Sequence, residues 1–366
     1  MMYLLTDGVG TRWGGAVTAR RTVMSRPLRL ATLAVVTSLT AVGCNAASTD
    51  SAGSSEDGPS FVLVTPNPVG VNDFLTLSVR GVEEAADQHR GSHRTFESTD
   101  PASLQHNVAA AVRDQPDVVV AVGFNFADVL AQEAERNPDQ QFLFVDSCTE
   151  DPFPNVTCAT FREHEAAYLA GAQAGLLTQT DRVGAVVVLD SPQFHRFSLP
   201  FADGAARTNP DVEFTQLFIG GQNPFNDPAR AKELAATLAG SGVDHVMGAA
   251  SAAGNLGVFE AAADHGIHAF GVDSNQCPAS PGQVVDNVVK RTDVVIADGI
   301  EAILAGDTGG NRSYGLAEEG VSLNGLLDDV DESGCVIAEH PEVVEQVRQL
   351  HDEIVAGDTV VTDPAA

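Results

Sequence analysis

Fifty acidic residues against twenty basic ones leave this 366-residue chain with a formal charge of −30. Such a surface repels nucleic acid and anionic lipid, so neither is expected as a partner. The composition, 43% hydrophobic with few aromatics, is that of a globular protein, and the roughly 305 residues beyond the first segments suffice for two ordinary domains.

The first residues are read as a leader. Arg26 and Arg29 precede a mostly apolar run, Leu30 to Val42, that ends in Ala41-Val42-Gly43-Cys44. A positive start, a short apolar stretch and small residues before the cut make a secretory signal peptide. The run is about 13 residues long, short of the ~20 a membrane-spanning helix needs. Cys44 after the small residues resembles a bacterial lipobox, with Ala41 where Leu is usual. An acylated thiol there anchors durably, since each buried methylene contributes ~0.8 kcal/mol. Residues 1–44 are therefore read as signal peptide with lipobox. Residues 1–23 are read as an over-long start, because Met24-Ser25-Arg26-Pro27 opens the leader better than Met1. Asn45 to Pro59, rich in Ser, Ala, Asp and Gly, is read as a flexible linker.

From Phe61 short apolar runs alternate with amphipathic stretches. The pattern predicts strands at 61–65, 95–97, 117–122, 142–145 and 156–161, with helices at 73–89, 101–114 and 127–136 between them. A long helix, 163–179, follows, and the rhythm restarts with strands at 183–189, 212–218, 244–247 and 268–272 separated by helices at 197–208, 227–240 and 255–265. Near-continuous apolar strands separated by helices mean parallel sheets covered on both faces, and two such runs mean two α/β lobes. A strand at 284–289, a helix at 293–304 and short strands near 313–316 and 321–323 are expected to return to the first lobe. The expected division is residues 60–162 plus 283–330 for lobe 1, 163–282 for lobe 2, and 331–366 as a C-terminal segment with a surface helix.

Four further cysteines, Cys148, Cys158, Cys277 and Cys335, suggest disulfides in an exported protein and allow three pairings. Closing the short loop between Cys148 and Cys158 is the easiest bridge, and Cys277 with Cys335 then follows.

Several segments, in order, resemble the basic membrane protein family, exported lipoproteins that bind purine nucleosides for ABC-type uptake. They are Val71-Asn72-Asp73, Val122-Gly123-Phe124-Asn125-Phe126, Phe142-Leu143-Phe144-Val145-Asp146, and Phe161-Arg162-Glu163-His164-Glu165-Ala166-Ala167-Tyr168-Leu169-Ala170-Gly171. Pro224-Phe225-Asn226-Asp227, Ala253-Gly254-Asn255-Leu256-Gly257, Gly271-Val272-Asp273-Ser274-Asn275 and Val288-Val289-Lys290-Arg291 complete the set, which spans Phe61 to about Leu323. The resemblance implies an α/β, two-lobed type I periplasmic-binding-protein fold, with parallel sheets flanked by helices around a hinged cleft. It also implies an extracytoplasmic, lipid-anchored monomer that hands a nucleoside-like ligand to an ABC permease, uses no cofactor or metal, and is not an enzyme.

Carried over residue by residue, the resemblance implies that Asn72 and Asp146 read the base, with Asp73 beside them, and that Phe225 stacks on one face. Asp273 and Lys290 would bind the ribose, and Gly254 would let backbone approach the sugar. Carboxylates accept hydroxyl and amide protons, an ammonium donates to hydroxyls, and π faces stack. The family's first stacking Phe is Val71 here, which leaves that face aliphatic or to another aromatic such as Phe74, Phe124 or Phe126. Each residue also has a plain structural reading: Asn72 or Asp73 as a helix cap, Asp146 ordering the cysteine loop, Phe225 in the core, Asp273 capping a turn. Only two lysines exist, Lys232 and Lys290, against eighteen arginines, which favours a role for Lys290. His265 and His268 lack partners for a metal, 328–332 lacks the spacing of an EF-hand loop, and Gly248–Gly257 lacks a dinucleotide pattern. Asn155-Val156-Thr157 matches a glycosylation sequon. A surface sensor for another small polar molecule is the alternative function. A nucleoside hydrolase is disfavoured because Phe61–Asp73 supplies a single acid.

Overall fold

The computed structural model describes residues 58–70 and 72–366; the expected leader with Cys44, most of the expected linker and Val71 lie outside the described residues. The first lobe is built from β1 (Ser60–Thr65), β2 (Ser92–Glu97), β3 (Val118–Val122), β4 (Gln141–Val145) and β5 (Val156–Phe161), with α1 (Asp73–His89), α2 (Pro101–Arg113) and α3 (Ala127–Arg136) between them. The second holds α4 (Glu163–Leu177), β6 (Arg182–Val187), α5 (Pro192–Thr208), β7 (Glu213–Phe218), α6 (Pro228–Gly240), β8 (His245–Ala249), α7 (Ser251–His265), β9 (His268–Asp273) and β10 (Val284–Lys290). Then come α8 (Thr292–Leu304), β11 (Asn311–Tyr314), β12 (Val321–Leu323) and α9 (Pro341–Val355). Among these described residues no helix is long and apolar enough to cross a membrane.

Each lobe carries a six-stranded sheet, ordered β11-β5-β4-β3-β1-β2 and β12-β10-β9-β8-β6-β7. All pairings are parallel except that of β12 with β10. The central strands are buried on both faces, which is why they read as unbroken apolar runs: all five residues of β3, Val-Val-Val-Ala-Val, are buried. The edge strand β2 begins at Ser92 rather than Thr95, because Ser92, His93 and Arg94 pair in register with Ser60, Phe61 and Val62 while their side chains stay exposed.

The lobe assignment of 283–330 is corrected by strand pairing. β10 lies beside β9 and β12 beside β10, so both belong to the second sheet. Only α8 and β11 return to the first, where α8 packs on α1 and β11 pairs with β5. The chain therefore crosses between lobes three times, after β5, after β10 and after β11.

Helix α4 is buried on nearly every face and shows no polar stripe. It meets α5 at backbone distance: a Cβ on Gly171 would stand 1.9 Å from the Phe201 carbonyl oxygen, and one on Gly204 would stand 1.9 Å from that of Tyr168. Helix α5 starts at Pro192, five residues before the sequence-based start, with proline in the first turn where its missing N–H costs nothing. It continues through Pro200. Behind the cleft, fully buried Asp286 on β10 accepts hydrogen bonds from Gln173 Nε2 (2.8 Å) and the backbone N–H groups of Asn287 (2.8 Å) and Gly325 (3.1 Å). Burial still pushes this carboxyl up to about 6.

Both cysteine pairs form disulfides, Cys148–Cys158 and Cys277–Cys335, with Cα atoms 5.2 and 5.0 Å apart. The second fastens the segment before α9 to the second lobe. Helix α9 then buries Val343, Val347 and Leu350.

Candidate ligand-binding site

The residues of interest sit where strands end. β9 ends in an Asp and β4 is followed directly by one, both with left-handed backbone, Asp146 at φ 70° and Asp273 at φ 69°, a conformation Asp tolerates better than most residues. The turn lifts each carboxylate out of its sheet toward the cleft, at the carboxyl ends of the strands, where open α/β sheets place their ligands. Lys290 ends β10, and Glu163 opens α4.

These four side chains converge. Lys290 Nζ lies 2.7 Å from Asp146 Oδ1, 3.2 Å from Glu163 Oε1 and 3.3 Å from Asp273 Oδ1. One ammonium thus faces three carboxylates. Burial works against the charged lysine, but Asp146, Asp273 and Glu163 outweigh it and hold its pKa well above the usual lysine range. For Asp146 burial wins: despite the pull of Lys290, its carboxyl is pushed up to about 6, with the negative charges of Glu163 and Asp273 adding to the rise.

Opposite the charges stand aromatic rings. Phe124, 53% exposed, follows β3 through Gly123, whose φ of 100° only glycine adopts readily. Its ring centroid is 5.7 Å from that of Phe225, and Phe194 meets Phe225 edge-on at 5.5 Å. Ser251 Oγ donates a 2.7 Å hydrogen bond to the Phe225 carbonyl, which holds that turn in place. The charges and rings line one cavity of about 310 Å³, with Gln193, Phe197 and Ser147 completing its wall.

Of the residues singled out by sequence, Asp146, Phe225, Asp273 and Lys290 share this cavity. Asn72, Asp73 and Gly254 do not. Asn72 caps α1, accepting from the Leu75 N–H at 3.4 Å. With Asp73 it borders a neighbouring depression of about 440 Å³ walled by α7 and the Ser274–Ala279 loop. Gly254 lies within α7, where a Cβ would stand 2.9 Å from that of Ala250, so its small size serves packing. Asn72→Ala is therefore expected to lower stability by about 1 kcal/mol through the lost cap, read as a shift in denaturation midpoint. Among the three aromatics proposed to replace the ring missing at position 71, Phe124 lines the cavity, whereas Phe126 is fully buried in one hydrophobic cluster and Phe74 packs, partly buried, against the other. Val71 itself is outside the described residues.

Glu163, Phe194 and Phe197 were missed by sequence reading. The two phenylalanines are spaced i, i+3 on α5, a signal hidden by the prolines at 192 and 200. Other motifs resolve into structure. His268 stacks near His245, at 5.3 Å between ring centroids, and Asn155 is buried, its amide donating to the carbonyls of Ala134, Asn137 and Gln140, so no sugar can reach it. Among the described residues no group of three or more His, Cys, Asp or Glu side chains is arranged to hold a metal ion.

Two sheets joined by three crossings, with a charged and aromatic cavity at their strand ends, define a two-lobed solute-binding protein. A solute-binding protein of an ABC transporter system from Aeropyrum pernix shares this fold, with a TM-score of 0.65 and 24% identity over 84% of this chain and 94% of that one. The chain belongs to the Bmp family: residues 62–355 match the family model described as ABC transporter substrate-binding protein PnrA-like. Relatives include a CD4+ T-cell-stimulating antigen of Listeria innocua, 27% identical over 92% of this chain and 99% of that protein. Another is the ABC transporter nucleoside-binding protein BmpA of Lactococcus lactis, 29% identical over 66% of this chain and 68% of that protein. The protein is thus an extracytoplasmic substrate-binding component of ABC transport, not an enzyme, and takes a small-molecule ligand to a permease.

Proposed function

We propose that the cavity binds a nucleoside, with purine nucleosides preferred, and that the protein delivers it as a monomer anchored through acylated Cys44. The observation that carries this reading is the pairing of a Lys290–carboxylate cluster with the Phe124 and Phe225 rings in one cavity. Ribose hydroxyls both donate and accept, so they suit a lysine flanked by Asp146, Glu163 and Asp273. A flat base suits the π faces. The name of the Lactococcus lactis relative supports the ligand class. Three carboxylates against one ammonium leave an excess of negative charge, which opposes a phosphorylated ligand.

Phe124 and Phe225 touch one another, so a base entering between them displaces Phe124, the exposed ring. Ligand contacts drawn from both lobes then favour a closed cleft, because only differential contacts shift that equilibrium. Asn72 and Asp73 take part where the base reaches the second depression.

Calorimetric titration with adenosine, guanosine, inosine, cytidine and adenosine monophosphate tests the reading. Submicromolar binding of the purine nucleosides, with the monophosphate at least tenfold weaker, is expected; a folded protein giving no heat with any nucleoside refutes it. Asp273→Ala is expected to weaken nucleoside binding by about 1.5–3 kcal/mol, the scale of a charge-assisted hydrogen bond, with the fold retained. Unchanged affinity in that variant removes Asp273 from the site. Labelling with radioactive palmitate in a host that processes lipoproteins tests the anchor, and loss of label in Cys44→Ala is the expected result.

A further inference from the structure

We propose that Arg196, braced by Asp363, is a positioning residue that keeps Lys290 available to ligand by drawing Glu163 partly away from it. The proposal rests on the cavity being the ligand site and deepens that reading. Arg196 lies on α5 between Phe194 and Phe197, both of which line the cavity. Its Nε and Nη2 donate to the two oxygens of Asp363 at 2.8 and 2.7 Å, a planar two-point pair that fixes the guanidinium. The remaining nitrogen, Nη1, lies 3.8 Å from Glu163 Oε2. The other oxygen of that carboxylate, Oε1, lies 3.2 Å from Lys290 Nζ. A line of alternating charge therefore runs from the segment after α9 into the cavity: Asp363, Arg196, Glu163, Lys290.

Two observations show that Glu163 is shared rather than committed. Its Oε2 is buried and, among the described residues, has no hydrogen-bond partner. Of the three carboxylates around Lys290, Asp146 is the one that accepts a hydrogen bond from Nζ, so protons of the ammonium remain for a ligand hydroxyl. Without Arg196, Lys290 is the cation left beside Glu163. The carboxylate then moves fully onto the ammonium and competes with ligand for its protons. The groups that face this cluster are Asp146 after β4, Asp273 from the end of β9, Arg196 on α5, and Asp363 after α9, with His164 on α4 beside Arg196 and Asp363. The segment that α9 carries to the second lobe thus contributes to affinity without touching ligand.

The test uses a two-by-two set, wild type, Arg196→Gln, Glu163→Gln and the double variant, with adenosine as probe. Arg196→Gln is expected to weaken binding about tenfold, the scale of one partly buried ion pair, and to change it less than twofold when Glu163 is already Gln. Arg196→Lys, which keeps the charge, is expected to retain most of the affinity and guards against a folding defect in the glutamine variant. An equal loss in both backgrounds overturns the proposal. A second readout needs no ligand. With only two lysines in the chain, 13C-lysine labelling yields two side-chain signals, and that of Lys290 follows the ionisation of Asp146, the carboxylate to which it donates and which Glu163 influences. Its pH midpoint is expected to rise in Arg196→Gln and to return in the double variant. An unmoved midpoint overturns the proposal. If wild type binds no adenosine, the nucleoside reading fails while the lysine signal still decides the role of Arg196.

Discussion

Lys290→Met is expected to abolish binding of the proposed nucleoside ligand and to cost about 3–5 kcal/mol of stability near neutral pH, the scale of stranding buried charges without their partner. The lysine side chain is 8% exposed and is the shared partner of Asp146, Glu163 and Asp273. Methionine fills the same volume but leaves the three carboxylates facing one another. The pH dependence follows from Asp146, whose carboxyl burial already lifts to about 6. A carboxyl with a folded pKa above its unfolded value of about 3.9 binds more protons in the folded state. Its stabilising effect is full below the unfolded pKa and is lost as pH rises through the folded one. Loss of the Lys290 charge raises the folded value further. The variant is therefore closest to wild type near pH 4 and diverges from it as pH climbs past 6. Denaturant melts at a series of pH values measure this; a constant difference across that range contradicts the assignment of charge to the cluster.

Replacing Cys277 and Cys335 together by alanine lowers stability by about 4 kcal/mol on the loop-entropy scale, given their separation of 58 residues. The same treatment of Cys148 and Cys158, only 10 residues apart, costs about 3 kcal/mol. The longer bridge does more than close a loop. It seats the segment before α9 against the second lobe, and beyond α9 lies Asp363, which braces Arg196. Loss of the 277–335 bridge is thus expected to weaken ligand binding as well as stability, whereas loss of the 148–158 bridge lowers stability with a smaller effect on affinity. Denaturant midpoints and calorimetry on the two variants separate these outcomes.

Much of the architecture was legible because buried parallel strands advertise themselves. Runs such as Val118–Val122 and Phe142–Val145 have no polar face to hide, and the helices between them carry caps, among them Asp100 with Ser103 at the start of α2. Edge strands and buried helices were harder. β2, Ser-His-Arg-Thr-Phe-Glu, is polar at five of its six positions because backbone pairing rather than side-chain burial defines it. The start of α5 was obscured because its prolines are signals of interruption, although proline in the first turn is compatible with a helix. Asn72 shows a further limit, since one polar residue before a helix suits a cap and a ligand contact equally, and the hydrogen bond it accepts from the Leu75 N–H shows the cap without excluding the contact.

By itself the sequence determined the strand-and-helix alternation, the family and four of the cavity residues, Asp146, Phe225, Asp273 and Lys290, because these depend on local pattern and on motifs read in order. Tertiary structure alone decided that β10 joins the second sheet, since a fully buried apolar strand fits either sheet equally well until its neighbour is known. It also decided that Glu163, Phe194 and Phe197 belong to the site. The reason is range: Lys290 and Asp146 are 144 positions apart and meet at 2.7 Å, and no local periodicity encodes which charges a fold will bring together.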